Sequence, residues 1–135
     1  MAAGDTAISV CSDALLLLGA KPISSFSEGT DEASVCDSLY PAIRDQALVN
    51  YKWTFNFKKT QLAKLVTTPT NEYKYEYQLP SDRLSAPYAV YADNSVSGNT
   101  ISNYRIMGDK LLTNEETIYI DYQASVTESE MPVWF

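Results

Sequence analysis

The chain has 135 residues, two cysteines, no histidine and a formal charge of −7. That length makes one domain, or one domain with a modest subdomain, and it can bury about two thirds of its unfolded surface without a disulfide or metal staple. The acidic balance excludes a protein built chiefly to grip DNA or RNA, because such affinity rests on Lys and Arg neutralising phosphates. Without histidine, and with Cys11 and Cys36 far apart, the usual zinc sites and every Ser-His or Cys-His mechanism are excluded. Both thiols are expected to be reduced and to behave as small hydrophobes.

Residues 5 to 18 predict a helix. Asp5 or Thr6 can cap it, Ile8, Cys11, Leu15 and Leu18 share a face, Gly19 suits a left-handed C-cap and Pro22 forbids continuation. Leu16 and Leu17 fall outside that stripe, so the helix is expected to be covered on two sides. The run "ALLLLGA" is too short to span a bilayer, and Asp5 and Asp13 spoil it as a signal peptide. A chain made and kept in a cytoplasm, with no membrane partner, is the expectation. A second helix is predicted from Thr30 or Asp31 to about Asn50, with Val35, Leu39, Ile43 and Ala47 at four-residue spacing. Pro41 either kinks it or opens a fresh helix; a kinked single unit is favoured.

Tyr51, Trp53, Phe55 and Phe57 follow within seven positions, and then Lys58, Lys59 and Lys64. Aromatics beside a basic groove can hold single-stranded nucleic acid, so residues 51 to 64 define an alternative reading, a monomeric protein- or nucleic-acid-binding module. Composition favours the plainer one, in which Trp53, Phe55 and Phe57 turn inward as core joining helix to sheet and the lysines form a solvated face.

The texture then becomes β. "EYKYEYQLP" alternates Tyr73, Tyr75 and Tyr77 against Lys74, Glu76 and Gln78; "LSAPYAVYA" is a strand interrupted by Pro87; "DNSVSGN" is a turn; "TISNYRIM" and "KLLT" make a hairpin about Gly108 and Asp109. In "TIYIDYQ", Ile118, Ile120 and Tyr122 share one face. The fold class is therefore α+β: an N-terminal helical pair, part of a helical bundle, followed by an antiparallel β meander of four or five strands. The expected organisation is 1–57 helical, 58–126 β, and 127–135 the start of a C-terminal helical segment, Pro132 standing where helices begin. Phosphate loops and nucleophile elbows are absent, and the carboxylates fall in turns or at helix starts. No catalytic residue, cofactor or metal is expected, and the chain reads as a non-enzyme.

The order of "ALLLLGAKPISSF", "LYPAIRDQAL", "KWTFNFKKTQLAKL", "YEYQLPSDRL", "YRIMGDKLLTN", "IYIDYQ" and "EMPVWF" resembles the tail tubular protein A family, the head-to-tail adaptors, or connectors, of short-tailed bacteriophages. The resemblance runs from about Ala7 to Phe135. Its landmarks are W-x-F at Trp53 and Phe55 with Phe57 beyond, Y-x-L-P-x-D at Tyr77, Pro80 and Asp82, and M-P-x-x-F at Met131, Pro132 and Phe135. These are structural landmarks and carry no chemistry.

The resemblance implies a virion protein of the tail neck, assembled in the host cytoplasm. Its fold would be a helical bundle carrying an inserted β region. It would form a homo-oligomeric ring, typically of twelve subunits, between the portal protein and the tail nozzle protein. Double-stranded DNA would pass non-specifically through its lumen during genome retention and ejection. Family chains continue past M-P-x-x-F with further helices, so a chain ending there is expected to leave both helix faces partly uncovered.

Overall fold

The computed structural model describes residues 4–95 and 98–135. The fold is α+β, an N-terminal helical pair followed by antiparallel sheets. The chain divides into two compact units: a helical unit made of 1–56 with 125–135, and a β unit made of 57–124.

Helix α1 spans Ala7–Leu17. Thr6 caps it in a reciprocal box with Ser9, satisfying donors that the first turn leaves free. Its end is a Schellman closure. Gly19, at φ 77°, takes the left-handed position, and the Ala20 and Gly19 N–H groups donate to the Leu15 and Leu16 carbonyls. Helix α2 spans Asp31–Val49 and runs unbroken through Pro41, so Pro41 does not open a new helix. Thr30 is its N-cap, and Asp31 and Glu32 lie in its positively polarised first turn. Ala33 and Cys36 of α2 pack with Ile8, Cys11, Leu15 and Ile23, while Leu48 is fully buried.

Between the helices, Glu28 organises the loop. Its carboxylate accepts from the Ser24 N–H at 2.9 Å and from the Ser24 and Thr30 hydroxyls at 2.8 Å each. These bonds, the Ser24 N–H foremost, hold its pKa down to about 2. A depressed carboxylate stabilises the fold at pH above its unfolded pKa, and that contribution is lost as pH falls towards the folded value. Glu28→Gln is therefore expected to flatten the fall of the thermal midpoint between about pH 5 and about pH 2. An unchanged acid limb in a pH series of melts overturns this.

The β unit contains seven strands among the described residues, more than the four or five expected, because they divide into two sheets. One sheet has the order β1 (Phe57–Gln61), β7 (Tyr119–Gln123), β4 (Ala89–Tyr91). The other has the order β2 (Ala63–Lys64), β3 (Tyr75–Gln78), β6 (Lys110–Thr113), β5 (Tyr104–Met107). All pairings are antiparallel. A single core cluster draws Tyr77, Leu79 and Leu111 from one sheet side and Val90, Ile118 and Ile120 from the other.

The β5–β6 hairpin turns at Gly108 and Asp109 as predicted, with Gly108 at φ 63°, where a side chain would be strained. Ile118, just before β7, and Ile120 and Tyr122 within it are buried as the alternation requires. In β3, Tyr77 is buried and its hydroxyl donates to the Glu115 carbonyl at 2.6 Å. The opposite face of β3 departs from expectation, because Glu76 is also buried. The segment after β2 covers it: Leu65 N–H bonds to the Glu76 carbonyl, and the Thr67 hydroxyl donates to its carboxylate at 2.6 Å. Strand β1 escaped the sequence because "FKKTQ" does not alternate in polarity; it is an edge strand carrying exposed Lys58 and Lys59, and lysines discourage edge-to-edge pairing. The turn read from "DNSVSGN" includes Val96 and Ser97, which lie outside the described residues.

Candidate functional site: an open apolar groove on the helical unit

The apolar stripe of α2 is only partly used in packing. Val35, Leu39 and Ile43, placed by their spacing on an inward face, are 56%, 53% and 59% exposed. At the end of α1, Leu17 and the C-cap Leu18 are 89% and 82% exposed. The expected two-sided cover of α1 is thus missing among the described residues, and the reason is geometric. A helix pair makes one mutual seam, whereas each of these helices is apolar over a wider arc than a seam consumes.

Between the two stripes lies a groove of about 710 Å³ whose walls include Leu15 of α1 and its C-cap Leu18, and Leu39, Ile43 and Ala47 of α2. Trp53, Trp134 and Phe135 bound it further. Cys11 and Cys36 also line it; Cys11 is buried, and desolvation and then the neighbouring Cys36 push its pKa up to about 11. Such a thiol stays protonated at neutral pH and acts as an apolar wall atom.

The aromatic end is built from both segments of the helical unit. The Trp53 ring lies 5.0 Å from Tyr51, 5.9 Å from Phe55, 5.8 Å from Trp134 and 5.2 Å from Phe135 between centroids, stacked on Phe55 and tilted or edge-on to the others, distances at which such ring pairs attract. Phe55 meets Trp134 and Phe135 in the same way. Trp53 Nε1 donates to the Ala47 carbonyl at 3.0 Å, closing the end of α2.

A polar clasp fixes the C-terminal segment. Glu128, in the short 3₁₀ turn Glu128–Glu130, is buried, accepts from the Tyr40 hydroxyl at 2.9 Å and lies 3.5 Å from an Arg44 guanidinium nitrogen. Arg44 also binds Asp45 at 2.9 Å. Burial, then Glu128, raises the Tyr40 pKa, so the phenol remains a donor at physiological pH.

The nine landmark residues separate into two sets. Trp53, Phe55 and Phe135 meet in the aromatic cluster, and Met131 is buried with Pro132 half-buried beside it in sequence. Phe57, Tyr77, Pro80 and Asp82 belong to the β unit. There Phe57 packs on Tyr88, and Asp82 accepts from the Tyr122 hydroxyl at 3.0 Å with Lys58 at 3.7 Å. Trp53, Phe55 and Phe57 therefore do not form one inward-facing row: the first two pack with the chain end, and the third with a strand. The lysines after them are engaged locally. Lys58 faces Asp82, Lys59 lies 4.1 Å over the Tyr91 ring and Lys64 lies 4.7 Å over the Tyr75 ring. Residues 51 to 64 present no continuous aromatic-basic channel.

The resemblance implied partly uncovered helix faces, and the exposure of Leu17, Leu18, Val35, Leu39 and Ile43 agrees with that; what sequence reasoning did not place is the groove between them, walled at one end by Trp53, Trp134 and Phe135. It also missed the Tyr40–Arg44–Glu128 clasp because nothing local links positions 88 apart.

The charge is uneven. The helical unit holds nine acidic side chains (Asp5, Asp13, Glu28, Asp31, Glu32, Asp37, Asp45, Glu128, Glu130) against Lys21, Arg44 and Lys52, so nearly all of the chain's net −7 resides there. Among the described residues, no group of three or more His, Cys, Asp or Glu side chains could hold a metal ion, and no helix is long and apolar enough to cross a membrane. No family model and no curated protein matches the chain.

Proposed function

We propose that the chain is a structural, non-catalytic subunit of a short-tailed phage neck, a head-to-tail adaptor of the tail tubular protein A kind. In this reading it forms a ring, of twelve copies by analogy with the family, that joins portal to tail nozzle and extends the DNA channel. The observation that carries the reading is the chain's organisation. Residues from both ends build one helical unit and the β region is inserted between them, the arrangement the resemblance implies. The landmark residues support it in a second way, since Trp53, Phe55 and Phe135 meet in one aromatic cluster although they lie on either side of the inserted β region.

The acidic balance suits a conduit. A wall that repels phosphates keeps a duplex centred and mobile, whereas a basic wall retains it. The lumen-facing surface is therefore expected to be net acidic, and the purified chain is expected to leave duplex DNA unshifted even at about 50 mM salt. A ring whose inner wall is lined by Lys52, Lys58, Lys59 and Lys64 overturns this, as does salt-sensitive DNA binding by the purified chain. The decisive experiment mixes the chain with the portal rings of the phage that encodes it, followed by sedimentation and electron microscopy. Co-sedimentation as a ring on the portal is the expected result. A monomer at every concentration that never associates with portal rings overturns the reading.

A further inference from the structure

We propose that Cys11 and Cys36 form a paired-thiol site that closes to a disulfide and thereby locks α1 to α2. The inference rests on packing within the helical unit and does not depend on the adaptor reading.

The two cysteines lie 25 positions apart in sequence, yet the fold brings them together. Cys11 of α1 is buried with Ile23 and Ala33, and Cys36 packs against that cluster from α2. Ala33 and Cys36, three residues apart, share one face of α2, and Ala33 is fully buried. Small side chains at a seam let two helix backbones approach closely. The thiols are in hydrogen-bonding contact across this seam, so small side-chain rotations bring the sulfurs to a disulfide length of about 2.05 Å. Both cysteines also line the open groove, which gives a small oxidant a path to them.

The unequal burial of the two thiols orders the chemistry. Cys36 is half-buried and meets the oxidant first; Cys11 is buried and resolves. Burial keeps Cys11 protonated at neutral pH, so it does not compete with Cys36 for the oxidant. With glutathione disulfide as oxidant, the Cys36 thiol gives up its proton and its sulfur attacks one sulfur of the oxidant. The oxidant's S–S bond breaks, and one glutathione leaves as the thiolate and takes up that proton. Cys11 then gives up its proton and attacks the Cys36 sulfur, expelling the second glutathione, which takes up the proton in turn. The two cysteines lose two electrons and glutathione disulfide gains them. The product closes a loop of about 25 residues across a seam whose buried members, among the described residues, are Cys11, Ile23 and Ala33. So small a buried seam leaves much for a covalent tie to add.

The test incubates the folded full chain with glutathione disulfide and reads intact mass. Thermal unfolding then follows the emission of Trp53 and Trp134, both in the helical unit. The expected product is a monomer lighter by two hydrogens, with a thermal midpoint raised by about 10 °C that dithiothreitol reverses. Cys11→Ala is expected to stop at one glutathione adduct on Cys36, and Cys36→Ala to take up about tenfold less glutathione in the same time. The mass of the wild-type chain decides the matter even where a variant fails to fold. A wild-type chain that keeps both thiols, carries two glutathiones or forms disulfide-linked dimers overturns the proposal. So does an intramolecular disulfide that leaves the midpoint unchanged or lowers it.

Discussion

Trp53→Ala is expected to destabilise the helical unit by about 3 kcal/mol, the lower end of the range for removing a large core aromatic, because Trp53 is only half-buried. Three effects combine. The substitution removes a ring that contacts four others at 5.0 to 5.9 Å. It takes the Nε1 donor from the Ala47 carbonyl at the end of α2, leaving a helix-terminal acceptor with one partner fewer. It also releases Trp134 and Phe135 from their shared contact, loosening the C-terminal segment. Trp53→Phe separates these effects in part, since it keeps a ring while losing the bond and some of the indole's contact area, for about 1 to 2 kcal/mol. Tyr51→Ala, at an exposed position, is expected to cost less than about 1 kcal/mol. Urea unfolding followed by Trp134 fluorescence and far-ultraviolet circular dichroism reads all three. A Trp53→Ala cost no larger than that of Tyr51→Ala would show that the cluster is decoration.

In the β unit, Ile120→Ala is expected to cost about 3 to 4 kcal/mol, since a buried Ile or Leu truncated to Ala loses its transfer energy and leaves a cavity. Ile120 is fully buried on β7, the central strand of its sheet, opposite Thr60 on one side and Val90 on the other. Neighbours tied into two ladders cannot collapse far into the space, which favours the larger part of the range. Leu111→Ala, fully buried on β6, is expected to fall in the same range because both residues belong to one cluster. Their double mutant reports on whether the two sheets share that core: contact through it makes the costs non-additive by about 0.5 kcal/mol or more. Met107→Ala, half-exposed on the edge strand β5, serves as the reference and is expected to cost less than about 1 kcal/mol. Strict additivity of Ile120→Ala and Leu111→Ala overturns the picture of one continuous core.

The sequence by itself determined what depends on near neighbours along the chain. The start of α1 at Asp5 or Thr6 and its Gly19 closure, the start of α2 at Thr30 or Asp31, the Gly108 turn and the alternation of Ile118, Ile120 and Tyr122 each lie within a few residues, while the structure chose Thr6 and Thr30 as the caps. Cap and turn geometry, and a period of two, are local properties of the backbone, so the residues declare them. The α+β class follows from their order. Tertiary structure alone decided what depends on which surfaces meet. It buried Glu76 under the segment after β2, made an edge strand of Phe57–Gln61, and sent Phe57 to Tyr88 while Trp53 and Phe55 joined Trp134 and Phe135. It also left Val35, Leu39 and Ile43 exposed. Periodicity identifies an apolar face but not whether a partner covers it, because burial is a property of two surfaces and a sequence pattern describes only one.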